Sequence, residues 1–256
     1  MKTGAFMTDT SIGARGIAGG DIRIGHIFGR AWEIFTANFL KFFIITMIVA
    51  LPNTLLVGSI SDPQTAPDGG LAARVLIGAI IAIVLGMLTQ AVILYMAFQY
   101  LRGQSASIGD AVQKALPRLL PLLGLIFLAS LGWTIGLMLL VIPGIILMVR
   151  WSVSIPVCVV ERLGPVASLK RSAELTKGHR WKIFGMFFLI WLISMVIGIV
   201  IGAVMGALGH VFVLVANLLW TAAWAGYFNS VWAMIYHDLR VAKDGVDVEQ
   251  IASVFD

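Results

Sequence analysis

The chain has 256 residues, 59% of them apolar and 12% charged, with a mean hydropathy of +0.96 and a formal charge of +5. A soluble domain averages about 25% charged residues, so half that charge leaves too little polar surface to face water. The composition argues against a water-soluble globule, a disordered chain and a nucleic-acid-binding module, and sets the basic excess against a membrane instead.

Residues 1–20 hold no apolar run of the length a cleavable signal needs, and read as a flexible cytoplasmic tail. From there the chain alternates amphipathic and continuously apolar stretches. Ile24, Ile27, Phe28, Ala31 and Phe35 recur at helical spacing, with Arg23, His26, Arg30 and Glu33 on the other face. Apolar stretches long enough to cross a bilayer, or nearly so, follow at 39–60, 75–98, 119–141, 145–161, 183–207 and 211–236. The segments between them are polar or turn-rich: 61–70, 102–114, Pro143-Gly144, 162–182 and Gly209-His210. In the second of these, Ser107 followed three residues later by Asp110 resembles a capping box, opening a helix with Ile108, Ala111, Val112, Ala115 and Leu116 on its apolar face. In the fourth, Gly164-Pro165 opens a helix bearing Val166, Leu169 and Ala173, which ends at Gly178. Pro143-Gly144 serves as the turn between spans three and four, which leaves span four short.

The expected fold is all-α and polytopic. Six transmembrane helices form three hairpins over residues 21–240, each preceded by a short amphipathic interfacial helix, with residues 241–256 as a cytoplasmic tail. Sixteen of the eighteen Lys and Arg residues fall on segments that six spans place on one side; Arg74 and Arg150 are the exceptions. The positive-inside bias therefore puts both termini in the cytoplasm. The amphipathic helices either steer the chain back into the bilayer or meet anionic headgroups with their basic faces.

Two ridges of small residues at four-residue spacing suggest close helix packing, within the chain rather than between copies: Gly78, Ala82 and Gly86 in span two, and Ser194, Gly198, Gly202 and Gly206 in span five. None of the thirteen carboxylates sits at the centre of a span, which argues against an ion-coupled carrier. Arg150 is the charged exception. It either binds a lipid phosphate or caps carbonyls inside the bundle, or it snorkels to the outer interface beside Trp151. Trp220, Trp224 and Tyr227 form a stripe that suits packing or a cavity wall. The single cysteine, Cys158, between Val157 and Val159, reads as a buried apolar residue. The four histidines have no ligand spacing, and there is no phosphate loop, dinucleotide fingerprint or nucleophile elbow, so no metal, cofactor or catalysis is expected.

One stretch is distinctive. It runs through Ile142-Pro143-Gly144-Ile145, Val149-Arg150-Trp151, Pro156, Glu161, Leu163-Gly164-Pro165, Leu169-Lys170-Arg171-Ser172, Leu175-Thr176-Lys177-Gly178 and Trp181, with Tyr236-His237-Asp238-Leu239-Arg240 downstream. This resembles the membrane domain that precedes the catalytic domain of some glycerophosphoryl diester phosphodiesterases and also stands alone in bacterial inner-membrane proteins. The catalytic barrel is absent, so the resemblance implies a membrane domain and no hydrolase activity.

The function expected from these observations is non-catalytic: binding or organising phospholipid through basic interfacial helices. Arg150, Lys170, Arg171, Lys177 and Arg180 are the headgroup candidates, and membrane phospholipid is the expected partner. The alternative is a small-solute transporter or channel subunit with a path lined by Gln90, Asn217, Trp224 and Asn229.

Overall fold

The structure, a computed structural model, describes residues 22–60, 71–206 and 210–245. Expectations for the two terminal tails, the 61–70 loop and the turn at Gly209 lie outside the described residues. Those described are helical almost throughout. In chain order the helices are α1 (Ile24–Ala37), α2 (Phe39–Ile60), α3 (Leu71–Leu101), α4 (Ile108–Ala115), a 3-10 turn (Leu116–Arg118), α5 (Leu119–Leu139), α6 (Val141–Arg150), α7 (Ser154–Val160), α8 (Pro165–Leu175), α9 (Arg180–Gly206) and α10 (His210–Asp244).

Among the described residues, four stretches are long and apolar enough to cross a membrane: Val75–Leu101, Ile108–Leu139, Val141–Val160 and Arg180–Ala203. The bent pair α1–α2 supplies a fifth if taken as one span. The chain is thus an all-helical membrane protein with four to five candidate spans.

The amphipathic stretches form helices for the reasons their sequences give. α1 buries Ile27, Ala31, Ile34 and Phe35, then meets α2 at a 77° bend. Asn38 occupies the corner, its Nδ2 donating to the Ile34 carbonyl at 3.1 Å. At α4, Ser107 Oγ accepts from the Asp110 backbone N–H at 3.1 Å and donates to Asp110 Oδ2 at 2.6 Å, while Ala111 and Ala115 are buried. α8 begins on Pro165 and is followed by Gly178 in the left-handed region, φ +95°. Its buried face differs from the expected one. Val166 is exposed, and Ser168 and Ser172 turn inward beside Leu175, their hydroxyls donating to the carbonyls of Gly164 and Arg150.

The turn between α5 and α6 also differs. The break falls at Leu140, whose backbone is extended, and Pro143 and Gly144 lie in the first turn of α6. Pro143 is tolerated because amides in the first helical turn have no intrahelical acceptor; the first bond there runs from Gly144 N to the Leu140 carbonyl. Gly144 is required for proximity. A Cβ on it would lie 3.1 Å from the Leu137 backbone N and 2.5 Å from Leu137 Cδ2. Gly136 would meet Gly144 Cα at 3.1 Å, and Gly132 carries the Trp151 ring, with Cη2 at 2.5 Å. Gly132, Gly136 and Gly144 therefore form the close seam between α5 and α6.

The two ridges of small residues differ in what they meet. In α9 a Cβ added at Gly198 or Gly202 meets nothing within 4 Å. In α3 Gly78 is buried and Ala82 half-buried, but Gly86 faces open space. At Gly198 and Gly202 the close approach expected within the chain is therefore not made: small residues permit it, but only a facing helix makes use of it. Gly206 lies where side-chain surroundings are not described.

The core sits at one end of the bundle. Ala91 to Gln99 of α3, Val231 to Leu239 of α10, and Pro156 to Val160 of α7 are buried continuously. Toward the other end, α5, α9 and the first half of α3 present Ile77, Ile80, Leu131, Ile135, Val196 and Ile199 outward. Cys158 is buried among its valines, its Sγ 3.5 Å from the Leu163 carbonyl.

Candidate functional site

At the buried end of the bundle, α7, α8 and α10 are tied by charge. Glu161 follows the last residue of α7 and is nearly covered. Its Oε1 accepts from the Tyr236 hydroxyl at 3.0 Å, and its Oε2 from Arg171 Nε at 3.1 Å. Arg171 also pairs through Nη2 with Asp244. Arg240 completes the ring, donating from Nη1 to the Tyr236 oxygen at 3.2 Å, with its Nε 3.6 Å from Asp244. Burial draws the Arg171 guanidinium down, and Glu161 and Asp244 more than reverse this, so its pKa lies above the ordinary arginine value. Beside this clasp, Asp238 accepts from His237 Nδ1 at 3.1 Å and stands 3.7 Å from His26 Nδ1 of α1. Two of the elements concerned, Glu161 and Arg171, lie ten residues apart, and their partners lie on α10, more than sixty residues on.

Arg150, the last residue of α6, lies beside α8. Its carbonyl accepts from Ser172 Oγ at 2.9 Å and from Thr176 Oγ1 at 3.4 Å. These hydroxyls supply the acceptor-side satisfaction that a helix C-terminus lacks. Arg150 is a full ten-residue helix away from the Leu140 break. Its Nε is buried without a hydrogen-bond partner. Sequence reasoning missed Ser172 and Thr176; their four-residue spacing on a helix start-to-end register was the available signal.

A groove of about 400 Å³ runs between α6 and α9. Ile142, Ile145, Ile146, Val149 and Phe184 form its walls, and Arg180 and Trp181 stand at the start of α9. Arg180 Nη2 donates to the Ala173 carbonyl at 3.4 Å, and its Nε is buried without a hydrogen-bond partner. Trp181 is 85% exposed. The arrangement joins an apolar channel to one cation, and chemically it suits an amphiphile.

The five headgroup candidates thus separate. Arg180 lines the groove, and Arg150 ends α6 next to groove residue Val149. Lys170 and Lys177 are exposed, and Arg171 is committed to two carboxylates. Of the residues suggested for a solute path, Asn229 donates to the Ala225 carbonyl of its own helix at 2.8 Å, and Trp224 stacks on Trp220 with centroids 5.2 Å apart. The side chain of Asn217 lies outside the described residues.

A helical chain with several apolar stretches long enough to cross a membrane fits a multi-pass membrane protein. The comparisons place it further: the model of UPF0259, an uncharacterised protein family, matches residues 70–233, and the chain belongs to that family. It is 27% identical over 158 residues to a UPF0259 membrane protein of Sodalis glossinidius (strain morsitans), covering 62% of this chain and 60% of that one. To a UPF0259 membrane protein of Pectobacterium carotovorum subsp. carotovorum (strain PC1) it is 34% identical over 94 residues, 37% of each chain. The chain therefore aligns with less than two thirds of the length of either relative. No solved structure matches.

This corrects the resemblance to a glycerophosphoryl diester phosphodiesterase membrane domain. The residues from Pro143 to Trp181 that carried it lie inside the segment the UPF0259 model matches. Pro, Gly and Trp at helix breaks and membrane edges recur wherever apolar helices turn, so a short run of them is a weak discriminator between membrane families.

Proposed function

We propose that the chain binds phospholipid in the groove between α6 and α9, without catalysis or a cofactor. In this reading it has six spans arranged as three hairpins over residues 21–240, with both termini on the cytoplasmic side of a bacterial inner membrane. The 22-residue α2 and the 35-residue α10 are long enough to complete that count. The positive-inside bias supports the orientation. α1, α4 and α8 then lie at the headgroup level.

The observation that carries the reading is the groove itself. Hydrocarbon walls suit an acyl chain, and the Arg180 guanidinium among the lining residues suits a phosphate oxygen, the acceptor that guanidinium binds best. Native mass spectrometry of protein extracted in mild detergent tests it. The wild type is expected to retain an anionic phospholipid, and Arg180→Gln to hold it on the order of tenfold less tightly, the loss of one charge-assisted hydrogen bond. Ile146→Trp, which fills the groove and keeps the charge, is expected to displace the same lipid. Retention of unselective lipid by all three proteins would overturn the reading.

A further inference from the structure

A second cavity lies away from the groove, where α3, the α4–α5 junction and the end of α7 meet. It holds about 240 Å³ and is lined by Lys114, Arg118 and Arg162, with Ala91, Tyr95, Gln113, Ala115, Pro117 and Val159. Three of these nine side chains are cationic and none is a carboxylate. Arg118 ends the 3-10 turn just before the apolar α5, and Arg162 follows α7 by two residues, so the cavity sits where apolar helices end. Neither guanidinium has a hydrogen bond or ion pair among the described residues, and both line the one small cavity, which brings like charges together.

The backbone at this place is also unusual. Arg162 has φ +55°, a left-handed conformation that helix ends normally give to glycine. A cation is favoured at a helix C-terminus, which would explain an arginine here, but not why its side chain shares a carboxylate-free cavity with Arg118 and Lys114. Strained residues that persist cluster at binding sites.

We propose that this cavity binds a phosphate group, held by Arg118 and Arg162 with Lys114 at its rim. An anion between the two guanidiniums replaces their repulsion with charge-assisted bonds of the geometry arginine forms with phosphate. The cavity is smaller than the ~300–1,000 Å³ of drug-sized sites, which suits a phosphate and its nearest substituent. The phosphate belongs either to a lipid headgroup or to a soluble phosphorylated molecule. The site goes beyond the groove reading and stands if that reading falls.

The test uses the full chain in phosphatidylcholine nanodiscs, with inorganic phosphate as one probe and added phosphatidylglycerol as the other. Phosphate is titrated against chloride at equal ionic strength while the thermal unfolding midpoint is followed, since a ligand of the folded state raises it; retained phosphatidylglycerol is counted by native mass spectrometry. A response to phosphate assigns a soluble ligand, and retention of phosphatidylglycerol alone assigns a headgroup. Either is expected to weaken at least tenfold in Arg118→Gln/Arg162→Gln and to survive in Arg180→Gln, a residue that does not line this cavity. Arg162→Gly separates binding from structure: glycine suits the backbone, so stability without ligand should hold or rise while binding falls. No response to either probe, or equal binding by the double variant, would overturn the proposal.

Discussion

The seam between α5 and α6 permits a quantitative test through one methyl group. In Gly136→Ala the new Cβ would stand 3.0 Å from Leu147 Cδ1, 3.1 Å from Gly144 Cα and 3.2 Å from Gly144 N. The leucine tip can rotate, but the other two atoms are backbone, so relief requires the helices to separate. Overpacking of this kind costs about 1–3 kcal/mol, against which alanine regains about 1 kcal/mol of helix propensity. Separation also loosens the neighbouring contacts, including Trp151 over Gly132, and membrane helices have little besides such packing to hold them together. The net expectation is a loss of up to about 2 kcal/mol. Gly198→Ala is the matched comparison: its Cβ meets nothing within 4 Å, so only the propensity gain remains. Reversible unfolding in mixed detergent micelles, read by tryptophan fluorescence, compares the two variants with wild type. Equal destabilisation by both would refute the reasoning, since it would mean that the α9 ridge is packed and the α5–α6 seam is not special.

Two further perturbations address the buried end. Tyr236→Phe should cost about 1.5–3 kcal/mol, the range for a hydrogen bond to a charged group, and Glu161→Gln more, because Arg171 and Arg240 lose one of the two carboxylates they share. Their double-mutant cycle should show coupling of about 0.5–3 kcal/mol; additive losses by the same unfolding assay would mean that the phenol and carboxylate do not act together. Replacing the hydroxyls over Arg150 by Ser172→Ala with Thr176→Val should cost about 1 kcal/mol per bond and speed amide hydrogen exchange where α6 ends, at Trp151 to Val153. Unchanged exchange there would show that the two side chains do not hold that terminus.

Much of this protein is legible along the chain because the signals are local. Ser107 with Asp110 marks a helix start through one short hydrogen bond, and Pro165 and Gly178 bracket α8 through their backbone preferences. The apolar runs predict the long helices because a bilayer demands that backbone groups be satisfied within the segment. The misreadings share a cause. Pro143-Gly144 carries turn residues, yet a proline is equally at home in a first helical turn and a glycine equally useful where two helices touch. Spacing reveals that Gly198 and Gly202 share a face; it does not reveal whether a helix lies opposite. The same ambiguity hid Gly132-x-x-x-Gly136, a small-residue pair as regular as the ridges in α3 and α9.

The amino-acid sequence by itself determined that the chain is helical and membrane-embedded, where most helices start and stop, and which side chains carry charge. Those properties depend on composition and on neighbours within four or so residues. Tertiary structure alone decided that Arg171 is bound to Glu161 and Asp244 while Arg180 faces a groove, and that Arg118 and Arg162 converge on one cavity. All are basic residues near helix ends and read alike in sequence. Their electrostatic roles differ because opposite charges were brought to one pair, an apolar wall to another, and only like charge to the third.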